Sequence, residues 1–243
     1  MDLILRQRIL EEVAPNGILN FAINLGNPIL AQQIGGQPVG VSVALAKEIA
    51  AELDVELKFN IFDSAGKVFA ALNQDIWSIA FLAIERVRSQ ELNFTKPYVF
   101  LEGTYLVDTD SSYQSTAELD QSDIRISVGK GAAYDLYLSR TLSQANLYRS
   151  ETSALAVEDF IFKKEKLNAA AGIRSYLDEV AKKHSEYRVI GDSFSQICQA
   201  IATPKKNKNT ALFLDEFLEK KKAEGFIHDA LVASGQSSIL AAP

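Results

Sequence analysis

Residues 83–98 read AIERVRSQELNFTKPY. Ala83 and Ile84 close an apolar stretch that starts at Ile76 and reads as a buried strand. A turn follows, then a short charged helix from Glu85 to Glu91. Asn93-Phe94-Thr95-Lys96-Pro97-Tyr98 then re-enters extended structure. Strand, turn, helix and strand again within sixteen residues is the rhythm of an alternating α/β chain.

The same rhythm extends outward in both directions. Toward the amino terminus, Val55–Phe62 alternates as a strand should, and Gly66–Asn73 reads as helix. Val41–Leu53 carries Leu45, Ile49 and Leu53 on one helical face. Asn24–Gly40, rich in glycine and proline, reads as a loop after the buried strand Ile18–Ile23. Leu3–Val13 reads as an opening helix that stops at Pro15-Asn16-Gly17. Toward the carboxyl terminus, Tyr98–Val107 is extended and Asp108–Ser122 is polar. A second series then follows: strand 124–128, helix 132–142, strand near 147–148, helix 153–164, strand 167–171, helix 173–183 and strand 188–190. Gln199–Thr203 is one more strand, and helices 208–224 and 226–234 end the chain.

This pattern predicts an α/β fold with two mostly parallel sheets. The extended stretches near 99–107 and 190–203 predict two strand-like crossings that form a hinge. Lobe 1 is expected at 1–105 and 203–243, with a helical extension at 1–14, and lobe 2 at 106–202. A cleft between two such lobes, where strand carboxyl ends meet helix starts, is the expected ligand site.

Composition narrows the function classes. Of 243 residues, 47% are apolar and 23% charged, so disorder is excluded. The 25 basic and 31 acidic residues give a net charge of −6, which argues against a nucleic-acid-binding face. No apolar run approaches the roughly eighteen residues of a membrane span. Cys198 is the single cysteine, which rules out an internal disulfide and any multi-cysteine metal site; its apolar context reads as inert packing. Two histidines, His184 and His228, supply little for a metal or catalytic cluster. No cofactor, no metal and no catalytic residue are expected. Met1 opens a charged stretch without the pattern of a secretory signal.

The 83–98 segment resembles the family-3 extracytoplasmic solute-binding proteins, the amino-acid binders of ABC importers. In that family an arginine lies six residues before the phenylalanine of a "DFS-x-PY"-like motif, and Arg88 stands at that spacing from Phe94-Thr95-Lys96-Pro97-Tyr98. Residues 40–53 (GVSVALAKEIAAEL) are similar to the family's "GFDVDLAKAIA" segment, and 125–133 (RISVGKGAA) to its "kvGVQ-x-GTT" turn. The likeness spans residues 16–234. It implies a two-lobed periplasmic-binding-protein-like fold of type II, a function in solute capture by hinge closure, an ABC-type permease as partner and a monomer. It also implies a periplasmic location with the signal peptide absent from this chain; cytoplasmic is the alternative.

Arg88 is the first candidate site residue, because a guanidinium fork meets a carboxylate bidentately. The competing reading is a solvated helix arginine paired with Glu85 or Glu91. The turn of Gly131, Ala132 and Ala133 offers backbone donors at a helix start, although the family carries hydroxyl residues at the two alanines. Tyr134 follows it, facing either the cleft or the core. Asp63 and Lys67 lie at a strand end, where Asp63 or Ser64 caps the next helix or Asp63 meets a cation.

Three departures from the family bear on the ligand. Ile173 stands where the family's ammonium-pairing aspartate is, with Arg174 next to it; Arg174 either meets a second anionic group or faces solvent. Asn24 replaces a first-strand acid. Ala83 replaces a hydroxyl residue, leaving only its backbone. The expected ligand is a small carboxylate, an amino acid or an organic acid. Two other readings remain open: a cyclohexadienyl dehydratase acting on a prephenate-like dicarboxylate, and a ligand-sensing domain.

Overall fold

Strand and helix alternate along almost the whole chain. The computed structural model describes residues 2–163 and 166–243. They form two units: unit 1 comprises the residues up to Phe100 together with Cys198–Pro243, and unit 2 is Leu101–Ile197.

Unit 1 contains α1 (Leu3–Val13), β1 (Ile18–Asn24), β2 (Gln32–Ile34), β3 (Gln37–Val39), α2 (Val41–Leu53), β4 (Glu56–Phe62), α3 (Ala65–Ala70), β5 (Ile79–Ala83), α4 (Arg88–Glu91) and β6 (Leu92–Phe94). The chain leaves it within β7 (Val99–Asp108). Unit 2 continues with β8 (Arg125–Gly129), α5 (Ala133–Thr141), β9 (Asn146–Ser150), α6 (Ser153–Ile161), β10 (Ala169–Ile173), α7 (Arg174–Lys183) and β11 (Tyr187–Val189). The chain returns within β12 (Ser195–Pro204), and unit 1 ends with α8 (Lys208–Ala223) and α9 (Phe226–Ala233).

In unit 1, β1 lies between β4 and β5, parallel to both, with Asn24 in register with Phe62. β12 adds antiparallel to β5, and β6 adds antiparallel to β12. Because β1, β4 and β5 are parallel, their carboxyl ends open at one edge of the sheet. Asn24, Asp63 and Ala83 therefore share that edge. In unit 2, β8 lies between β9 and β10, all parallel, while β7 runs antiparallel to β10 and also pairs with β11. Gly129 and Ile173 end β8 and β10, at the carboxyl edge of these parallel strands.

Each unit has an apolar core. Val68, Trp77, Leu82 and Leu92 meet in unit 1, where the Trp77 indole donates to the Val68 carbonyl at 3.1 Å. Leu106, Phe160, Leu167 and Leu177 meet in unit 2. On α2, Leu45, Ile49 and Leu53 are fully buried. Each such side chain contributes about 1.5–3 kcal/mol.

Long-range caps tie the helices of unit 1 together. The Arg6 guanidinium donates to the Leu53 carbonyl at the end of α2, at 2.7 and 3.0 Å, where a cation suits the helix dipole. The Glu12 carboxylate accepts from the Asn209 and Thr210 amides at the start of α8, at 3.1 and 2.8 Å. Such a carboxylate satisfies helix amides that have no partner within their own helix.

Four expectations need correction. The 24–40 loop contains the β2–β3 hairpin, closed by Gly35 and Gly36 at φ +57° and +81°. Two adjacent positive φ values fit the two-residue turn that joins short antiparallel strands. The helix expected at Glu85–Glu91 begins only at Arg88, and the one expected from Gly66 is Ala65–Ala70 followed by a 3-10 turn. The helix expected to reach Lys164 ends at Ile161 among the described residues; Lys164 lies outside them.

Candidate functional site

At the carboxyl edge of the unit 1 sheet, β5 gives way to the Ile84–Val87 turn and then α4, whose first residue is Arg88. Its side chain folds inward and is 1% exposed. Nη1 donates back to the Ala83 carbonyl at 3.1 Å, closing the turn on itself. Burial lowers the guanidinium pKa from 12.5 to about 10, against the opposing field of Glu85. It is therefore a cation at neutral pH, held out of water. The side chains of Ile84 and Val87 face the other way and are exposed.

Asn24 and Asp63 stand on neighbouring strand ends. The Asn24 side-chain oxygen accepts from the Gly26 amide at 2.9 Å, turning the chain sharply after β1. Gly26 then lies so close to the β4 end that a Cβ there would stand 2.3 Å from the Asp63 carbonyl, so only glycine fits. Asp63 pairs with Lys67 at 2.6 Å on the surface. Of the two capping candidates, Ser64 is the cap: its hydroxyl accepts from the Lys67 amide at 3.4 Å.

At the carboxyl edge of the unit 2 sheet, Gly129 touches the Ser153 backbone so closely that a Cβ would sit 2.8 Å away. The amides of the following turn are engaged within the unit: Lys130 donates to the Ser150 carbonyl, Ala132 to the Gly129 carbonyl, and Gly131 to Asp135 Oδ2 at 2.8 Å. Asp135 is a buried carboxylate that also takes the Arg149 Nε at 3.0 Å and a hydrogen bond from Ser139. Ala132 caps α5 and Ala133 opens it; both are buried. Tyr134 is enclosed beside Ser153 and Gly129, and burial pushes its hydroxyl up to about 12.

Arg174 opens α7 directly after β10. Its guanidinium binds the Glu102 carboxylate and donates to the carbonyls of Ile190, Gly191 and Asp192 at 3.0, 3.2 and 2.8 Å. The side chain is 25% exposed and braces the 190–192 loop. Thr104 reinforces the brace by donating to the Ile190 and Asp192 carbonyls.

Sequence reasoning missed Glu102, Asp135 and Arg149. Asp135 had a visible signal, an acid in the first turn of a helix four residues after a glycine. Glu102 and Arg174 are 72 residues apart, beyond any local pattern. Trp77 is core, Gln199 is buried and Gln196 is exposed. Burial raises the Cys198 thiol, which disfavours thiolate chemistry. Among the described residues, no group of three or more His, Cys, Asp or Glu is placed to hold a metal, and no helix is long and apolar enough to cross a membrane.

Residues 20–231 match the profile of the bacterial extracellular solute-binding proteins, family 3. The amino-acid-binding protein AabA of Dichelobacter nodosus is 23% identical over 209 residues, which cover 84% of this chain and 81% of AabA. The crystal structure of the cysteine-binding protein from Campylobacter jejuni superimposes with a TM-score of 0.80 at 21% identity, covering 93% of this chain and 92% of its own. The ancestral amino-acid-binding protein AncCDT-1, a precursor of cyclohexadienyl dehydratase, gives 0.75 at 22%, covering 91% and 96%. These likenesses establish the fold as the α/β, type II periplasmic-binding-protein class.

Proposed function

Because the chain belongs to the bacterial extracellular solute-binding proteins of family 3, we propose that it captures a small carboxylate-bearing solute, an amino acid or an organic acid, with Arg88 as the anchor. The observation that supports this is the buried guanidinium at the edge where β1, β4 and β5 end. A cation removed from water pairs strongly with an anion brought to it, and a planar fork orients a carboxylate through two parallel bonds. Asn24 and the Ala83 backbone stand at the same sheet edge and shape the approach.

The rest of the reading follows from this role. The protein acts outside the cytoplasm as a monomer, passes its solute to an ABC-type membrane permease, and needs neither cofactor nor nucleic acid. It performs no chemistry on the solute. The dehydratase alternative calls for a second cation to hold a dicarboxylate, and Arg174 is already engaged by Glu102 and three carbonyls.

The test is direct. Solute released from purified protein by denaturation is identified by mass spectrometry, and its binding is measured by calorimetry in the wild type and in Arg88→Met. At least tenfold weaker binding in the variant is expected. Unchanged affinity would sink the assignment of Arg88.

A further inference from the structure

A second polar side chain of unit 1 stands beside the Arg88 turn. Gln199, in β12, is in register with Ala83, the last residue of β5, whose carbonyl accepts from Arg88 Nη1. The next pair along is joined by a hydrogen bond from the Ile84 amide to the Cys198 carbonyl at 2.9 Å. Bonded and non-bonded pairs alternate in an antiparallel ladder. Gln199 and Ala83 are therefore a close, non-bonded pair, with about 4.5 Å between Cα atoms and both side chains on one face. The Gln199 carbonyl points away from β5 and accepts from the Tyr98 amide at 2.8 Å. Ala83 thus carries the guanidinium on its carbonyl and the Gln199 side chain beside its methyl group.

That side chain is poised to meet something outside the protein. Gln199 is 5% exposed, yet among the described residues its side-chain amide has no hydrogen-bond partner. The Ala83 methyl opposite has nothing to offer it, and the next pair on the same face, Ile201 and Phe81, is apolar as well. The amide is not sealed in the core as the unpartnered Ser195 hydroxyl is. An enclosed stem with an open polar tip is already held in place, so a bond made at that tip costs little further ordering. The tip carries one acceptor oxygen and two N–H donors.

We propose that Gln199 is a solute-binding residue whose amide hydrogen-bonds a group on the carbon next to the carboxylate held by Arg88. The solute is then a carboxylate that carries a hydroxyl, oxo or amino group at that carbon. This rests on the reading of Arg88 as the carboxylate anchor. Because Arg88 and Gln199 flank one residue, a carboxylate on the first brings its neighbouring substituent to the second. An oxo group would accept from the amide, an ammonium would donate to it, and a hydroxyl would do either. A site built to bond such a group discriminates against the analogue that lacks it.

The experiment uses the full chain freed of co-purified solute. It is screened by thermal shift against the standard L-amino acids, the 2-hydroxy and 2-oxo acids of the same skeletons, and saturated monocarboxylates from acetate to octanoate. The tightest binder is then titrated by calorimetry into wild type, Gln199→Leu and Arg88→Met. That binder is expected to carry a 2-substituent and to lose at least tenfold in each variant. The melting temperature of Gln199→Leu should be unchanged or raised, since a side chain of similar size replaces a buried amide that bonds nothing in the fold.

A loss of less than tenfold in Gln199→Leu, with tenfold or more lost in Arg88→Met, overturns this inference and leaves the anchor standing. A tightest binder that is an unsubstituted monocarboxylate overturns it as well. So does an affinity loss in Gln199→Leu that comes with a fall in melting temperature, which marks a structural role. Affinity indifferent to Arg88, or no binding by any probe, overturns the anchor and the inference together.

Discussion

Arg88 and Arg174 hold equivalent positions in the two units. Each is the first residue of a helix that follows, at the sheet's carboxyl edge, a strand from the parallel part of the sheet. Their surroundings differ. Arg174 lies at the surface of its unit and joins a carboxylate to three carbonyls, tying α7 to the 190–192 loop. Arg88 is enclosed, donates to the Ala83 carbonyl five residues back, and has its pKa lowered by burial. The difference teaches that the same residue type at the same topological place serves architecture in one unit and, on our reading, recognition in the other. Local sequence does not distinguish them.

The contrast breaks most cleanly in a pair of variants that keep side-chain volume and remove charge. Arg88→Met is expected to weaken solute binding by roughly a hundredfold, about 2.8 kcal/mol. Its melting temperature should be unchanged or raised, because an apolar residue of similar size replaces a desolvated charge. Arg174→Met should do the reverse. Losing the loop brace is expected to cost about 2 kcal/mol, seen as a fall of about 4–8 °C in calorimetry, with affinity kept within twofold. If both variants lose stability and neither loses affinity, the distinction between the two arginines is wrong.

A smaller effect tests the Glu12 cap of α8 in unit 1. Burial raises the Glu12 carboxyl, but hydrogen bonds from Thr210 and Asn209 outweigh it and hold the group below its ordinary 4.5. A carboxyl depressed in the folded state contributes stability above its unfolded value, and that contribution is lost as pH falls through the folded value. Glu12→Gln should therefore lower stability by about 1 kcal/mol at neutral pH, with the gap to wild type narrowing as pH falls through the folded value. Urea titrations at pH 7 and pH 3 would measure it. A gap of equal size at both pH values would show that the carboxylate charge is not what caps α8. Least of all is expected from Lys67→Ala, whose exposed pair with Asp63 should be worth no more than about 0.5 kcal/mol.

Much of the fold is legible in the sequence because burial imposes short periods. Leu45, Ile49 and Leu53 mark α2 by spacing alone, and the Pro15-Asn16-Gly17 stop places the end of α1 within two residues. The β2–β3 hairpin was also available from Gly35-Gly36 but was masked by the loop-like composition around it. Helix starts were less legible: α4 begins at Arg88, three residues later than expected, because Glu85 and Arg86, both good helix formers, are placed in a turn. Tertiary context overrides propensity there.

The candidate site is legible by residue type but not by partner. Nothing near Arg174 in sequence announces Glu102 or the 190–192 carbonyls, and nothing near Glu12 announces Asn209 and Thr210. Those bonds depend on topology, which local pattern does not encode. The Gly131 amide is the intermediate case: its acceptor, Asp135, is only four residues away, and a helix-start acid aimed at the preceding turn is a readable feature.

Unit 1 is discontinuous, and this bears on how the protein comes off the ribosome. The β12 residues that pair with β5, Gln199 to Ala202, and the α8 amides that Glu12 caps, are translated only after all of Leu101–Ile197. The inserted unit is contiguous, so a nascent chain stalled just beyond it should already protect that segment from proteolysis. The earlier half would remain cleavable until its final helices emerge, leaving a window in which a chaperone has something to hold.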